Sequence, residues 1–520
     1  MGRIEGRRLR WHGGVVVLVA VTTLAAACSK GSSDATATTT KVAEATPTTA
    51  DPNTTKTSAD VPEAPAPAAP AWKPCTAIAK TAQCATLVVP LDYTHPTDGT
   101  IDLAISRIPA TSSEPHLGAL IFNPGGPGGT GMDLPASLSE DAAGRPADAA
   151  MLARFDLIGF DPRGVGQSTP IDCGDRTALD RADYSPESPV EVAELKSTMK
   201  AFAAACKAKS GRLLPFVGTD EAARDVDQIR RALDQKTLSL FGFSYGTSLF
   251  GTYIDLFPTH VRAAVLDGDI PSGISGLASF AEQARSLDEQ FDVFLAACAA
   301  RTDCPLTPLG FTATSFDDLI KRWDAKPPTL PDGPAPTASE AVTVAATALY
   351  STTYRRFLEV GLSDAVHGDA KDVETGWELY SGGNSNESGI AVNCADYRWP
   401  APKELFAAVT KLERDHPRMG EAFIREFLPC AYWPQEGRAE RVHHATGAPT
   451  VLLVGTTGDP ATPYAWSKRM ARELDNAVLL TRDGVGHTAW DDSGCIDDAI
   501  DAYLLTTKPP PAGTRCPSDP

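Results

Sequence analysis

The pattern of apolar and polar positions along the chain predicts short buried strands that alternate with helices. Six apolar runs of four to seven residues fit buried strands, and the polar and apolar faces of residues 220–232 fit a helix. Such alternation is typical of an α/β fold with a mostly parallel sheet flanked by helices. The predicted strands cover residues 118–122, 155–160, 238–241, 263–266, 449–455 and, as the last strand, 477–481, preceded by a hairpin over 85–91 and 101–108.

The pattern changes between residues 271 and 438, where amphipathic helices dominate. Because the predicted sheet does not require these helices for its own strands and connections, we interpret the stretch as an inserted, mainly helical cap over the active site. Residues 72–270 and 439–510 then form the two parts of the core. Helices of the cap are predicted over residues 280–300, 316–323, 341–349 and 405–412.

The first 71 residues carry a targeting pattern. Four arginines precede an apolar stretch over residues 13–27 that is too short to span a bilayer comfortably, which predicts a signal peptide over residues 1–27. Small residues before Cys28 resemble a bacterial lipobox, although Leu24 stands four positions before the cysteine and not three. Residues 28–71, rich in Thr, Ala and Pro, are predicted to be a disordered tether. We therefore expect an exported protein, either a cell-envelope lipoprotein lipidated at Cys28 or a secreted protein.

The other ten cysteines agree with export, because their number is even and they form five pairs of near neighbours in sequence. An oxidising compartment would bond neighbours most simply, although sequence alone does not fix the connectivity and unrelated buried thiols are the alternative. No Cys-x-x-Cys or His-rich spacing indicates a metal site. The expected pairs are Cys75–Cys84, Cys173–Cys206, Cys298–Cys304, Cys394–Cys430 and Cys495–Cys516.

The charge of the chain limits its partners. The 520 residues carry a net charge of −19, which argues against nucleic acid or an anionic membrane surface as a main partner. Membrane contact is expected only through a lipid on Cys28.

One short segment places a nucleophile in the context of the predicted sheet. Residues 242–246 read Gly-Phe-Ser-Tyr-Gly, after an apolar run and before a helix-compatible stretch over residues 247–257. G-x-S-x-G between a strand and a helix is typical of a nucleophile elbow, in which a strained turn lifts the serine hydroxyl clear of the sheet. Ser244 is the candidate nucleophile, with a chance match as the alternative in a chain that has 42 glycines.

A glycine-rich loop over residues 123–131 permits two interpretations. Residues 126–131 formally fit the dinucleotide fingerprint G-x-G-x-x-G. The other interpretation is an oxyanion-hole loop, in which backbone N–H groups approach an attacked carbonyl closely and side chains are excluded. With the Ser244 motif downstream we favour the second, and we expect the N–H groups of Gly126 and Tyr245 to be the donors.

An acid and a histidine follow the last two predicted strands, Asp459 after the first of them and His487 in a glycine turn after the second. Nucleophile, acid and histidine in this order, each beyond a strand end, are typical of an α/β-hydrolase triad. His487 would take the Ser244 proton, and Asp459 would orient and stabilise the imidazolium. Asp267, beyond the strand before these two, is the rival acid, and Thr462 either hydrogen-bonds within the acid loop or simply shapes its turn.

Together these motifs resemble the secreted tripeptidyl-aminopeptidase-like α/β-hydrolases of actinobacteria (peptidase family S33), which include mycobacterial carboxylesterase and protease lipoproteins. The resemblance implies an α/β-hydrolase core with a helical cap, no metal or cofactor, and a catalytic Ser244, Asp459 and His487. It also implies cleavage near a free peptide N-terminus, with cap acids binding the ammonium group. Glu387 and Asp396 are the candidates for that role, and a structural role is the alternative. The resemblance covers roughly residues 72–509 and depends on residues 123–131, 161–168, 242–247, 392–396, 459–463 and 486–487.

Three functions remain open at this point. The leading one is an exported serine hydrolase that acts as an aminopeptidase on short peptides through an acyl-enzyme. The second is a carboxylesterase or lipase, because the same triad serves both reactions and no motif separates amide from ester cleavage. The third, a non-catalytic envelope lipoprotein that binds a ligand through a hydrolase scaffold, is disfavoured because Ser244, Asp459 and His487 are all present.

Overall fold

The structure, a computed structural model, describes residues 64–112, 115–142, 146–330, 335–381 and 385–518. The predicted signal peptide, Cys28 and residues 28–63 of the predicted tether lie outside these ranges. Residues 64–71 are described and form neither helix nor strand. Within the described ranges, no helix combines the length and the apolar character needed to cross a membrane.

Ten strands of the described chain form one sheet. They are β1 (Lys73–Pro74), β2 (Gln83–Pro90), β3 (Thr100–Ile108), β4 (Ala119–Asn123), β5 (Asp156–Phe160), β6 (Leu238–Phe243), β7 (Val261–Asp267), β8 (Val451–Gly458), β9 (Ala477–Val485) and β10 (Arg515–Pro517). Their order across the sheet is β1-β2-β3-β5-β4-β6-β7-β8-β9-β10. The pairs β1–β2, β2–β3 and β3–β5 are antiparallel. All the other neighbouring pairs, from β5–β4 to β9–β10, are parallel. The sheet is therefore mostly parallel, as predicted.

All eight predicted strands are present, with ends that differ by up to four residues. The prediction that residues 477–481 form the last strand was wrong. These residues lie in β9, and the later strand β10 follows it. β10 pairs in parallel with β9, and Arg515 lies opposite Thr481. A three-residue strand is too short to produce a recognisable period in the sequence.

Both faces of the sheet are buried. On β6, Leu238 and Leu240 belong to one buried apolar cluster, and Phe241 and Phe243 belong to another on the opposite face. A strand that is covered on both faces appears in sequence as a continuous apolar run, which is why β6 could be recognised. The helices that flank the sheet are α1 (Leu134–Ala142), α2 (Pro146–Arg154), α3 (Thr177–Asp180), α4 (Pro189–Ser210), α5 (Thr219–Ala232), α6 (Tyr245–Leu256), α14 (Tyr464–Glu473) and α15 (Gly494–Thr506).

The described residues between β7 and β8 form helices joined by turns and irregular segments, with no strand. It contains α7 (Gly276–Ala299), α8 (Ala313–Ala325), α9 (Ala338–Ala348), α10 (Thr352–Val366), α11 (Lys371–Ser381), α12 (Ser385–Asp396) and α13 (Pro402–Asp415). The sequence pattern predicts α7, α8, α9 and α13 and does not predict the other three. Leu287, Phe291, Phe316, Trp377 and Phe423 belong to an apolar cluster of this stretch alone. We call residues 271–438 the cap.

The predicted cysteine pairing is confirmed. Disulfides join Cys75 to Cys84, Cys173 to Cys206, Cys298 to Cys304, Cys394 to Cys430 and Cys495 to Cys516. The last of these ties β10 to α15, and the Cys394–Cys430 bond holds the end of α12 to a later segment of the cap.

Candidate active site

The candidate nucleophile lies at the sharp turn between β6 and α6. Ser244 has a φ of +53° and a ψ of −124°, a sparsely populated backbone conformation that costs about 1–3 kcal/mol for a residue with a Cβ. Its N–H donates to the Asp267 carbonyl at 2.9 Å. A Cβ on Gly242 would lie 2.5 Å from the Gly246 carbonyl oxygen, so a side chain is excluded there, as the elbow interpretation requires. The turn leaves Ser244 partly exposed although both its sequence neighbours are buried.

The glycine-rich loop lies directly against this turn. A Cβ on Gly125 would lie 2.9 Å from Ser244 Cβ and 3.1 Å from Tyr245 N. The φ is +95° at Gly125 and +112° at Gly126, a region that favours glycine. Tyr245 is the first residue of α6, so its N–H has no acceptor within the helix. Close approach of this backbone to the nucleophile favours the oxyanion-hole interpretation over the dinucleotide fingerprint.

The candidate acid, Asp459, directly follows β8 and is surrounded by hydrogen-bond donors. Its carboxylate accepts the N–H groups of Ala461 at 2.9 Å, Thr462 at 2.8 Å and Thr488 at 3.2 Å. The Thr462 hydroxyl donates to Asp459 Oδ2 at 2.9 Å, so Thr462 does take part in this loop. These donors fix the orientation of a carboxylate whose side chain is fully buried.

The candidate histidine contacts both carboxylate oxygens of this acid. His487 Nδ1 lies 3.0 Å from Oδ1 and 3.0 Å from Oδ2 of Asp459. Burial lowers the pKa of His487, but the charge and hydrogen bond of Asp459, with a further contribution from Asp267, outweigh it and raise that pKa. The backbone N–H of His487 donates to the Tyr350 carbonyl at 2.7 Å, and the imidazole and the Tyr350 ring pack edge to face. Asp459 and the Tyr350 ring thus hold the imidazole, and the Tyr350 carbonyl holds its backbone, which leaves Nε2 as the atom for proton transfer.

The rival acid makes different contacts. Asp267 Oδ2 accepts the N–H groups of Ala489 at 3.0 Å and Trp490 at 2.9 Å and forms no hydrogen bond with the imidazole. The geometry therefore favours Asp459 as the partner of His487. No hydrogen bond joins Ser244 Oγ to His487 Nε2 among the described residues, and such bonds often form fully only when substrate binds.

The two predicted ammonium anchors lie in α12, and both have protein partners. Glu387 accepts a hydrogen bond from Arg176 Nη1 at 2.5 Å. Asp396 accepts the N–H of Thr219 at 2.7 Å and its hydroxyl at 2.5 Å. Burial raises the pKa of Asp396 to about 7, although the Thr219 bonds act in the opposite direction. Because Thr219 Oγ1 lies 2.6 Å from the Tyr245 hydroxyl, Asp396 connects the cap to the residue after the candidate nucleophile.

Cap residues that the sequence analysis did not find also contact the acid loop. Ser286 Oγ of α7 donates to the Asp459 carbonyl at 2.8 Å, and Gln283 Nε2 donates to the Ala461 carbonyl at 2.9 Å. These residues precede Asp459 by more than 170 positions, and no local motif marks them. The cap therefore contributes to the position of the candidate acid.

A third cap carboxylate lies on the histidine side of the site. Glu426 is partly exposed, and its Oε1 accepts the Tyr380 hydroxyl at 2.7 Å. Burial raises the pKa of Glu426 despite that bond and the nearby charge of Arg425. Tyr350, which packs on His487, lies within electrostatic reach of Glu426. No sequence signal distinguishes Glu426 from the other acids of the cap.

Named proteins resemble this chain over most of its length. A family model described as TAP-like protein matches residues 416–516. Serine protease Hip1 of Mycobacterium tuberculosis is 33% identical over 482 residues, which cover 86% of this chain and 90% of that protein. Carboxylesterase B of the same species is 35% identical over 475 residues, with 86% and 89% covered. Tripeptidyl aminopeptidase of Streptomyces lividans is 32% identical over 471 residues, with 86% of each chain covered.

Proposed function

Because this chain belongs to the TAP-like family of α/β-hydrolases and is a serine hydrolase, we propose that it is an exported aminopeptidase that releases short peptides from a free N-terminus. The observation that carries the catalytic part is the contact of His487 Nδ1 with both Asp459 oxygens at 3.0 Å, beside the strained turn at Ser244. The relatives named tripeptidyl aminopeptidase and serine protease support peptide cleavage.

The reaction follows from the roles of these groups. Ser244 Oγ attacks the scissile carbonyl while His487 Nε2 takes its proton, and Asp459 stabilises the resulting imidazolium. The N–H groups of Gly126 and Tyr245 stabilise the oxyanion that develops on the carbonyl oxygen. His487 then protonates the leaving amine, which leaves an acyl-enzyme on Ser244. Water, deprotonated by His487, hydrolyses that ester and restores the serine.

For the substrate N-terminus we propose a cap carboxylate, and Glu426 joins Glu387 and Asp396 as a candidate. Glu387 and Asp396 already accept hydrogen bonds from Arg176 and Thr219. Glu426 is bonded by a neutral tyrosine hydroxyl and is connected to the histidine through Tyr350.

The alternative is an esterase. The relative named carboxylesterase B has the highest identity of the three described, at 35%. The same triad cleaves esters, whose leaving group needs less protonation than an amine. An esterase would require no carboxylate for an ammonium group, so the cap acids distinguish the two functions.

Catalysis and substrate class are tested together on the purified full chain. We expect Ser244→Ala to abolish turnover, and full activity in this variant would refute the assignment of the nucleophile. Fluorogenic tripeptides with a free and with an acetylated N-terminus, and a short-chain ester, are then compared by kcat/KM. A preference for the free tripeptide that is lost on acetylation supports the aminopeptidase. Ester turnover without peptide cleavage would replace it with the esterase.

The anchor is tested with three matched variants, Glu426→Gln, Glu387→Gln and Asp396→Asn. We expect Glu426→Gln to raise KM for the free tripeptide and to leave kinetics on the acetylated tripeptide unchanged, because only the free peptide carries an ammonium group. The same selective rise in Glu387→Gln or Asp396→Asn would move the anchor to that residue. An equal change on both substrates would indicate a structural role.

Export and lipidation are proposed from the N-terminal pattern and are supported by the five disulfides, which form in oxidising compartments. In a bacterial host we expect the full chain to be cleaved before Cys28 and to enter the detergent phase on partition. Cys28→Ser should stay in the aqueous phase. Cleavage with no difference in partition between the two proteins would favour plain secretion.

A further inference from the structure

Asp267 lies between the two strands that end at the candidate nucleophile and at the candidate acid. It is the last residue of β7, opposite Phe243 of β6 on one side and opposite Val454 of β8 on the other. Its carbonyl accepts the N–H of Ser244 at 2.9 Å. The residue therefore holds the backbone of the elbow directly.

The side chain of the same residue holds the loop that carries the histidine. Asp267 Oδ2 accepts the N–H groups of Ala489 and Trp490, two and three positions after His487. The side chain is fully buried, and Oδ1 has no hydrogen-bond partner among the described residues. A Cβ on the next residue, Gly268, would lie 3.2 Å from His487 Cε1, so the backbone at this point lies close to the imidazole.

The carboxylate also acts on the imidazole by charge. The pKa of His487 is raised by Asp459 and, to a smaller extent, by Asp267, against the effect of burial. Burial raises the pKa of Asp267 to about 6, while the two N–H donors and His487 lower it. The other titratable and charged groups around this point are Asp459, the buried Asp269, Tyr350 against the imidazole, and Arg482, which donates to the Thr488 carbonyl and pairs with Asp492.

We propose that Asp267 is a positioning residue that holds the His487 loop in register with the Ser244 elbow and adds a second buried carboxylate to the surroundings of the imidazole. This inference rests on the proposed triad. Asp267, the rival acid of the sequence analysis, then acts beside Asp459 and does not replace it. Its main chain bonds the elbow, and its side chain bonds the histidine loop. Loss of the carboxylate would leave two buried N–H groups without an acceptor and would release the loop.

The test uses two substitutions at Asp267 in the full chain. Asp267→Asn keeps an acceptor oxygen for Ala489 and Trp490 but removes the charge. We expect its kcat at the optimum to stay within a few-fold of wild type. The acid limb of kcat/KM should move to lower pH, because an imidazole with one less neighbouring negative charge is deprotonated at lower pH. Asp267→Ala removes the acceptor as well, and we expect kcat to fall about 100-fold, as for a misplaced catalytic group.

Asp269→Asn is the matched control. Asp269 is also buried in this turn, but it accepts neither the Ala489 nor the Trp490 N–H, and it is not among the groups that shift the pKa of His487. We expect the acid limb of this variant to coincide with wild type. A wild-type acid limb in Asp267→Asn, or a kcat in Asp267→Ala equal to that of the control, would overturn the proposal.

Two further measurements keep the result interpretable. Thermal melts of each variant show whether Asp267→Ala is folded, and if it is not, the pH profile of Asp267→Asn alone decides. Turnover by Ser244→Ala would refute the triad itself, which is a different failure from an unchanged pH profile in an enzyme that depends on Ser244.

Discussion

The burial of the Asp396 carboxyl predicts a measurable link between pH and stability. The perturbation is Asp396→Asn, which keeps an oxygen to accept the Thr219 N–H and removes the ionisable group. In the folded protein the pKa of Asp396 is raised by burial to about 7, from an ordinary value of 3.8. The folded state therefore binds this proton more tightly than the unfolded state. The stability that results is fully present below about pH 4 and is lost as the pH rises through about 7.

The magnitude follows from the size of this difference. A pKa that rises from 3.8 to about 7 changes by roughly three units, which corresponds to a loss of about 4 kcal/mol between pH 4 and pH 8. For about 450 folded residues the unfolding entropy is about 1 kcal/mol per kelvin, so the melting temperature should change by about 4 °C. Asp396→Asn should lack this part of the pH dependence.

The assay is a series of thermal melts of both proteins between pH 4.5 and pH 8. The measured quantity is the difference in melting temperature between variant and wild type. The other buried acids contribute equally to the pH dependence of both proteins, so their contributions cancel in this difference. We expect the variant to gain on wild type as the pH rises. Asp172→Asn, at an exposed carboxylate paired with Lys209, serves as the control and should show no such gain. A constant difference across the whole range would refute the reasoning.

Three further predictions concern the site and the cap. Gly268→Ala should lower kcat at least about 10-fold, because a Cβ there meets the imidazole of the candidate histidine at 3.2 Å. Gly310→Ala, with a similar positive φ but open space around it, should affect stability alone, and equal kcat in the two variants would contradict this. Thr462→Val should lower kcat roughly 10-fold by removing one hydrogen bond to the candidate acid, worth about 1–1.5 kcal/mol, and Thr462→Ser should restore it. Replacing Cys394 and Cys430 together by Ser should lower the unfolding free energy in denaturant by about 4 kcal/mol, since the bond closes a 36-residue loop.

The sheet was predictable where the signal was local. Buried parallel strands such as β6 appear as continuous apolar runs, and each predicted strand is present. The β10 strand was missed because three residues carry no period, and its place beside β9 depends on pairing and on the Cys495–Cys516 bond. The cap helices α10 to α12 were missed because tertiary contacts fix their position. α10 and α11 are buried against each other and against α9, whereas the apolar residues of α12 belong to the cluster that covers the sheet.

The candidate site divides in the same way. Ser244, Asp459 and His487 were found from sequence because each follows a strand, and the carboxyl ends of parallel strands share one edge of the sheet. The two cap acids were named from a resemblance, and their partners Arg176 and Thr219 lie far away in the chain.

The sequence by itself determined where eight of the strands lie along the chain, the glycines of the elbow and the residues that stand beyond the strand ends, because these features depend on neighbours a few positions apart. Only the tertiary structure decided that His487 contacts Asp459 and that Asp267 bonds the loop behind it. It also decided that Asp396 bonds α5 and that Glu426 lies beside the tyrosines near the histidine. These choices depend on distances between side chains more than 25 positions apart, which no local pattern encodes.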